Sequence, residues 1–132
     1  MKLVRKLVNS RGTSTLEFVV VLPVLLFVLF SIVELSRAWL TLNLATAAAR
    51  EGVRAGVVAP ADSVSTAGDA KINSILSPTP WSGGVTCAAS PCAPDQVVSA
   101  TVTIQFQTVV PLILPAMFGT MNITQTASMR YE

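Results

Sequence analysis

The sequence predicts an α+β protein with a long amino-terminal transmembrane helix that continues as an amphipathic helix. A small outer domain with a short helix and antiparallel strands is expected to follow it. Two observations predict this fold. An uncharged apolar run over residues 18–33 leads into apolar residues spaced three or four apart, which is the period of a helix. Two later segments alternate apolar and polar residues, as half-buried strands do.

The apolar run is long enough to predict a membrane-spanning helix. Residues 13–35 would extend about 35 Å at 1.5 Å per residue, which exceeds the hydrocarbon thickness of about 30 Å. The alternative is a buried helix of a soluble protein, which needs a larger core than the remaining residues supply. Pro23 lacks an amide hydrogen and is expected to kink or loosen the helix around residues 19–23.

The helix is predicted to continue outward to residue 58, with Pro60 ending it. One side carries apolar residues at helical spacing: Leu35, Trp39, Leu42, Ala45, Ala49, Val53 and Val57. Trp39 is expected at the outer membrane interface, where indole rings are favoured. Gly52 and Gly56 supply a smooth surface for close packing. That surface covers the chain's own outer domain, a neighbouring subunit, or both along different turns.

The outer domain is predicted over residues 59–132. A short helix is expected over residues 62–76, and a loop over residues 77–96 that allows a brief strand near residues 85–87. Strands are expected over residues 98–107 and 121–131, paired antiparallel against the outer part of the long helix. The apolar residues 109–118 contain two prolines and are predicted to form a crossover between the strands.

Charge is distributed unevenly along the chain. Residues 1–12 hold four basic residues and no acidic one, whereas the rest holds five basic and seven acidic residues. Binding to nucleic acid is therefore disfavoured, because a binding face would keep clustered Lys and Arg in the outer domain. Basic residues beside a first membrane helix favour a cytoplasmic amino terminus and place the later residues outside.

Cys87 and Cys92 are spaced to close a small loop by a disulfide, which an exported location favours. The alternative is a metal site, but the sequence has no histidine and no second cysteine pair to complete four zinc ligands. We expect no metal, no cofactor and no small-molecule substrate. An enzyme is the least favoured class, since the sequence contains no histidine base and no glycine-rich phosphate loop.

Gly12 precedes Glu17 by five residues, between the basic stretch and the apolar run. This arrangement predicts a processing site with cleavage between Gly12 and Thr13. The cut would retain the apolar helix, unlike secretory processing, which removes it. Glu17 would become the fifth residue of the mature chain. The alternative is an uncleaved signal anchor.

These residues resemble the leaders of type IV prepilins, which end in glycine and have glutamate at the fifth mature position. A longer stretch is similar to the amino terminus of the TadE-like family, small pilin-like proteins of tight-adherence (Flp) pilus systems. The matching residues are Gly12, Glu17, Phe18, Leu22, Pro23, Glu34, Arg37, Ala49, Arg50, Glu51 and Gly52. The carboxyl-terminal residues SMRYE also resemble the end of such chains.

The resemblance implies that a prepilin peptidase cleaves the chain. It also implies that the protein is a single-pass protein of the bacterial cytoplasmic membrane, with its carboxyl-terminal domain outside. It implies partners among other pilins, pilin-like subunits and the pilus assembly machinery. The residues expected to pack the membrane helix are Leu16, Phe18, Leu22 and Pro23. Glu17 is expected to set register or engage the machinery, for instance by pairing with the new amine of Thr13 in a neighbour; the alternative is that it reaches the lipid headgroups.

Three functions remain as hypotheses. The favoured one is a minor pilin or pseudopilin that acts in assembly of a tight-adherence adhesive pilus. The second is a single-pass membrane scaffold of the pilus secretion machinery. The third is a minor pseudopilin of a related secretion system.

Overall fold

The computed structural model describes residues 10–108 and 120–132. Its elements are α1 (Ser10–Val58), α2 (Val64–Leu76), β1 (Trp81–Cys87), β2 (Val97–Phe106) and β3 (Met121–Arg130). The three strands form one antiparallel sheet in the order β1-β2-β3. This arrangement confirms the predicted α+β fold with a long amino-terminal helix.

The chain divides into two compact units, Met1–Ser36 and Arg37–Glu132. In the first unit the structure describes residues 10–36, which form the first part of α1. The helix is not interrupted at Pro23. The second unit, called the outer unit below because it corresponds to the predicted outer domain, contains residues 37–58 of α1, the short helix and the sheet. A single helix therefore contributes to both units.

The core of the second unit lies between the outer part of α1, α2 and the sheet. Its largest fully buried side chains are Val53, Ile72, Leu76, Val85, Val98, Val102 and Ile104. On α1 the predicted apolar face is buried at Ala45, Ala49 and Val53. Trp39, which belongs to the same predicted face, is 64% exposed. This face of α1 therefore belongs to the core at Ala45 and beyond, but not at Trp39.

Glycines allow α1 and α2 to approach closely. A Cβ at Gly52 would lie 2.5 Å from Cγ1 of Ile72, and a Cβ at Gly56 would lie 3.2 Å from the carbonyl oxygen of Val64. Across the contact, a Cβ at Gly68 would lie 2.9 Å from the carbonyl oxygen of Gly52. The smooth surface predicted at Gly52 and Gly56 thus packs against the chain's own outer domain.

Strand β1 corrects the predicted loop over residues 77–96. The strand begins at Trp81 and pairs with β2 along its whole length, whereas only residues 85–87 were expected to be extended. Gly83 has φ 113° and lies so close to Thr101 that a Cβ there would collide with the Thr101 carbonyl oxygen. The glycines that indicated a loop instead permit a close approach between strands.

The alternation of β2 matches its predicted pattern, since Val98, Ala100, Val102, Ile104 and Phe106 are all buried. β3 pairs with β2 in an unbroken antiparallel register from Val97↔Arg130 to Phe106↔Met121. These two strands confirm the predicted pair. The crossover predicted over residues 109–118 lies outside the described residues.

The segment after α1 is held by two contacts from distant parts of the chain. Cys87 and Cys92 form a disulfide, and the Cys92 amide donates a hydrogen bond to the Ala61 carbonyl oxygen at 2.9 Å. The Tyr131 hydroxyl donates to the Ala59 carbonyl oxygen at 2.9 Å. The carboxyl-terminal residues that resembled the family's ending thus anchor the end of α1.

Candidate functional site

The first part of α1 is an apolar helix whose described side chains over residues 15–33 are all exposed. Its most apolar 18-residue window has a mean hydropathy of 2.8, and none of that window is buried within the protein. Exposed fractions are 69% at Leu16, 61% at Phe18 and 70% at Val20. A helix that is hydrophobic all round belongs in a membrane or among other apolar helices. The described residues thus contain one amino-terminal helix long and apolar enough to span a membrane.

The predicted processing residues lie at the start of this helix. The backbone of Gly12 and Thr13 is helical, because α1 begins at Ser10. Glu17 follows Thr13 by four residues, about one helical turn, and its side chain is exposed. The structure therefore brings Gly12, Thr13 and Glu17 together within the first turns of one helix.

The predicted packing residues are placed on the exposed apolar helix. Leu16, Phe18, Leu22 and Pro23 are all exposed, and Leu22, at 36%, is the most covered of the three large apolar side chains among them. The exposed apolar side chains continue past residue 33 to Leu35 and Leu40, at 71% and 68%. This apolar surface is available to lipid or to helices of other subunits.

The helix α1 carries both acidic and basic residues. Its acidic residues from position 15 onward are Glu17, Glu34 and Glu51, and its basic ones are Arg37, Arg50 and Arg54. Among the residues whose side chains are described, no polar or charged residue is buried. Arg54 lies 4.0 Å from Glu51, with both side chains substantially exposed, so this pair adds little stability.

Arg37 makes a contact that the sequence did not predict. Its Cζ lies 5.3 Å from the centre of the Phe106 ring, a cation–π arrangement between the first residue of the outer unit and the end of β2. The sequence predicted Arg37 in the long helix and Phe106 in a strand. Their contact depends on how the sheet packs on the helix, so no local pattern indicated it.

The part of the chain that the structure describes contains no cluster of metal-binding side chains. No group of three or more His, Cys, Asp or Glu side chains comes together in residues 10–108 and 120–132. Asp69 accepts a hydrogen bond from the Val85 amide at 2.7 Å, which gives it a role in packing. An open groove of about 350 Å³ is lined by Glu51, Arg54, Ala55, Val58, Ala59 and Lys71. The charged residues of this lining are Glu51, Arg54 and Lys71.

Comparison with known proteins found one matching family. Residues 12–54 match the family model of the TadE-like proteins. The match covers about a third of the chain, lies within α1, and includes Gly12 and Glu17. It confirms the family predicted from these residues. No curated protein and no solved structure matches the chain.

Proposed function

Because residues 12–54 carry the TadE-like signature, we propose that this chain is a minor pilin or pseudopilin of a tight-adherence (Flp-type) pilus system. A prepilin peptidase cleaves it between Gly12 and Thr13. The processed protein then acts in assembly of an adhesive pilus. The family supports a pilin-like protein associated with such a pilus. The apolar segment follows the proposed cut, so it stays in the processed protein and is available for assembly.

The observation that carries the proposal is the single helix α1, apolar and exposed in its first part and built into a core in its second. Cleavage before Thr13 removes only residues 10–12 of this helix and retains its whole apolar segment. The mature protein therefore keeps an apolar surface that lipid covers before assembly and that neighbouring helices cover afterwards. The outer unit remains attached throughout, because part of its own core belongs to the same helix.

We assign to Glu17 the role of setting the axial register between neighbouring subunits. A carboxylate at the edge of an apolar helix is costly unless it is hydrated or paired. Cleavage creates a positive amine at Thr13, and the Thr13 amine of one subunit can pair with Glu17 of a neighbour displaced along the helix axis. A charge pair inside an apolar bundle specifies register more than it adds stability.

The protein is placed in the bacterial cytoplasmic membrane as a single-pass protein. Four basic residues within positions 1–12 favour a cytoplasmic amino terminus. The outer unit then lies outside, where an oxidising environment supports the disulfide between Cys87 and Cys92. Its partners are the prepilin peptidase, other pilins or pilin-like subunits and the assembly machinery. The action is structural and needs no enzyme activity, cofactor, nucleic acid or small-molecule substrate.

The proposal is tested by following the protein into sheared pili. Cells expressing the wild-type chain should yield the processed protein in the sheared filament fraction, and the uncleavable variant Gly12→Val should stay in the membrane fraction. A processed wild-type protein that supports pili but never leaves the membrane fraction would instead identify a membrane scaffold. Normal pilus formation with the gene deleted would contradict a role in assembly.

A further inference from the structure

Two contacts show which way the sheet runs along α1. Cζ of Arg37, the first residue of the outer unit, lies 5.3 Å from the centre of the Phe106 ring at the end of β2. Phe106 pairs with Met121, the first residue of β3. Beyond the other end of β3, the Tyr131 hydroxyl donates to the Ala59 carbonyl oxygen. β3 therefore leads from the start of the outer unit to the end of α1.

The lengths of the helix and the strand agree with this direction. Arg37 and Val58 are 21 positions apart, or about 32 Å at 1.5 Å per residue. Met121 and Tyr131 are ten positions apart, or about 34 Å at 3.4 Å per residue. We call the end of the outer unit at Arg37 and Met121 the near end, and the end at Tyr131 the far end.

Exposed apolar side chains lie on several sides of the near end. Leu40 is 68% exposed, Trp39 is 64% exposed and Met121 is 54% exposed. Trp39 and Leu40 are adjacent in sequence and so point about 100° apart around α1, whereas Met121 lies on the sheet. One docked helix would cover one side of such a surface. Lipid contacts all sides at once, so this distribution favours a membrane surface over a single protein partner.

The charged residues of the outer unit lie mainly away from the near end. Apart from Arg37 itself, residues 37–49 and 96–129 contain no charged residue. The far end instead carries Asp95 and Arg130, which lie 3.6 Å apart and are both largely exposed. The chain leaves β2 and returns to β3 at the near end, and the eleven residues 109–119 between them have no polar side chain. The near end is therefore the less polar end of the unit.

The near end also lies at the level of the lipid headgroups. Residue 35 ends the predicted membrane span, and Leu40 follows it by five positions, or about 7.5 Å of helix. The headgroup region adds about 5–8 Å on each side of the hydrocarbon core. Trp39 falls within the same distance, and indole rings are favoured in this region. The apolar surface of the near end is thus continuous along the chain with the membrane-spanning segment.

We propose that the near end of the outer unit rests on the outer surface of the phospholipid bilayer, with Trp39, Leu40 and Met121 in contact with lipid. The inference rests on the single-pass placement in the proposed function, because that placement puts the near end next to the membrane. The positive charge of Arg37 adds attraction to anionic headgroups. The contact holds the outer unit against the bilayer before assembly and is lost when the protein leaves the membrane.

Quenching by spin-labelled lipid tests this contact. The full chain carrying Met121→Cys is labelled with the fluorophore NBD without reductant, so that the disulfide between Cys87 and Cys92 stays intact. It is placed in nanodiscs of phosphatidylcholine and phosphatidylglycerol, with or without lipid that carries a nitroxide on its headgroup. We expect the nitroxide lipid to cause a loss of NBD fluorescence at Met121.

Two further positions serve as controls in the same nanodiscs. Val97→Cys is the matched control, because Val97 is 52% exposed on the same sheet but pairs with Arg130 at the far end. Its fluorescence should be little changed by the nitroxide lipid. Leu35→Cys, at the end of the membrane span, should be quenched whenever the helix spans the bilayer.

A charged substitution provides a second readout. With NBD at Gln105→Cys, an exposed position beside Phe106, adding Met121→Glu should reduce quenching, because a carboxylate opposes contact with lipid. The matched change Val97→Glu should leave quenching at position 105 unaltered. Equal quenching with and without Met121→Glu would contradict a lipid contact made by Met121.

The outcomes separate this inference from the proposed function. Quenching at Leu35 without quenching at Met121, or equal quenching at Met121 and Val97, overturns the lipid contact while the membrane placement stands. Absence of quenching at Leu35 contradicts the membrane placement itself, and with it the inference. Quenching at Leu35 and Met121 but not at Val97 is the result that supports both.

Discussion

Tyr131 links the end of the chain to the end of α1. Its hydroxyl donates to the carbonyl oxygen of Ala59 at 2.9 Å, and its amide donates to the carbonyl oxygen of Gln96 at 2.8 Å. The last carbonyl groups of a helix and those just beyond it lack partners within the helix. A side chain from the other end of the outer unit therefore satisfies one of them.

Removing this hydroxyl should destabilise the outer unit. We expect Tyr131→Phe to lower the free energy of unfolding by about 1 kcal/mol, the usual contribution of a neutral hydrogen bond. Denaturant unfolding of the full chain in detergent measures the effect. Ser128→Ala, at an exposed position of β3, serves as the matched control and should change little. A Tyr131→Phe protein as stable as the control would show that the bond contributes nothing.

Gly68 tests the close contact between the helices. A Cβ there would lie 2.8 Å from Cβ of Val85 and 2.9 Å from the carbonyl oxygen of Gly52. We expect Gly68→Ala to destabilise the outer unit by about 1–3 kcal/mol, because overpacking forces the backbone to shift. Ser65→Ala, at an exposed position of α2, is the control. Since alanine favours helices, a stabilised Gly68→Ala protein in the same unfolding measurement would refute the close contact.

At the scale of elements, α2 is joined to β1 by a side chain as well as by packing. β1 forms one edge of the sheet, and its Val85 amide donates to Oδ1 of Asp69 at 2.7 Å. Val85 is only 2% exposed, so water cannot readily replace this acceptor. The contact therefore fixes α2 along one edge of the sheet.

Removing the Asp69 carboxylate should loosen that edge. We expect Asp69→Ala to cost about 1–3 kcal/mol of unfolding free energy, because a buried amide loses its partner. Asp69→Asn keeps an acceptor oxygen and should cost less. Amide hydrogen exchange at Val85 should accelerate in the alanine variant relative to the wild type. Unchanged exchange at Val85 would show that the bond does not protect this strand.

The elements that could be predicted from the sequence are those with local signals. The period of α1, the alternation of β2 and β3, and the end of α2 at Leu76 are all encoded in neighbouring residues. β1 was mostly missed because Gly83 and Gly84 indicated a loop, and only the fit against Thr101 explains why glycine suits that strand. The contacts of Arg37 with Phe106 and of Tyr131 with Ala59 join residues about seventy positions apart, which local patterns cannot reveal.

For the candidate site the same distinction holds. Gly12, Thr13 and Glu17 were identified from spacing and charge, and the structure places all three at the start of α1. The exposure of the apolar segment followed from its composition. The tertiary structure was needed to show how the outer part of α1 packs against its own domain, with Gly52 against Ile72.

At the scale of the whole molecule, α1 joins an exposed apolar segment to the core of the outer unit. The most apolar window of α1 has no buried residue, whereas Ala45, Ala48 and Val53 further along the same helix are completely buried. Discarding the apolar segment would remove the only helix in the described residues that is apolar and long enough to span a membrane. The position of the cut therefore decides whether the mature protein keeps a helix for packing.

The most direct test of the central claim is the mass of the mature amino-terminal peptide. The chain is expressed with its cognate prepilin peptidase, purified from membranes and analysed by mass spectrometry, with Gly12→Val as the uncleavable control. We predict a wild-type protein that begins at Thr13, with Glu17 fifth and the apolar helix retained, and a control of full length. A wild-type protein of unchanged mass, or one cut beyond the apolar segment, would contradict the account.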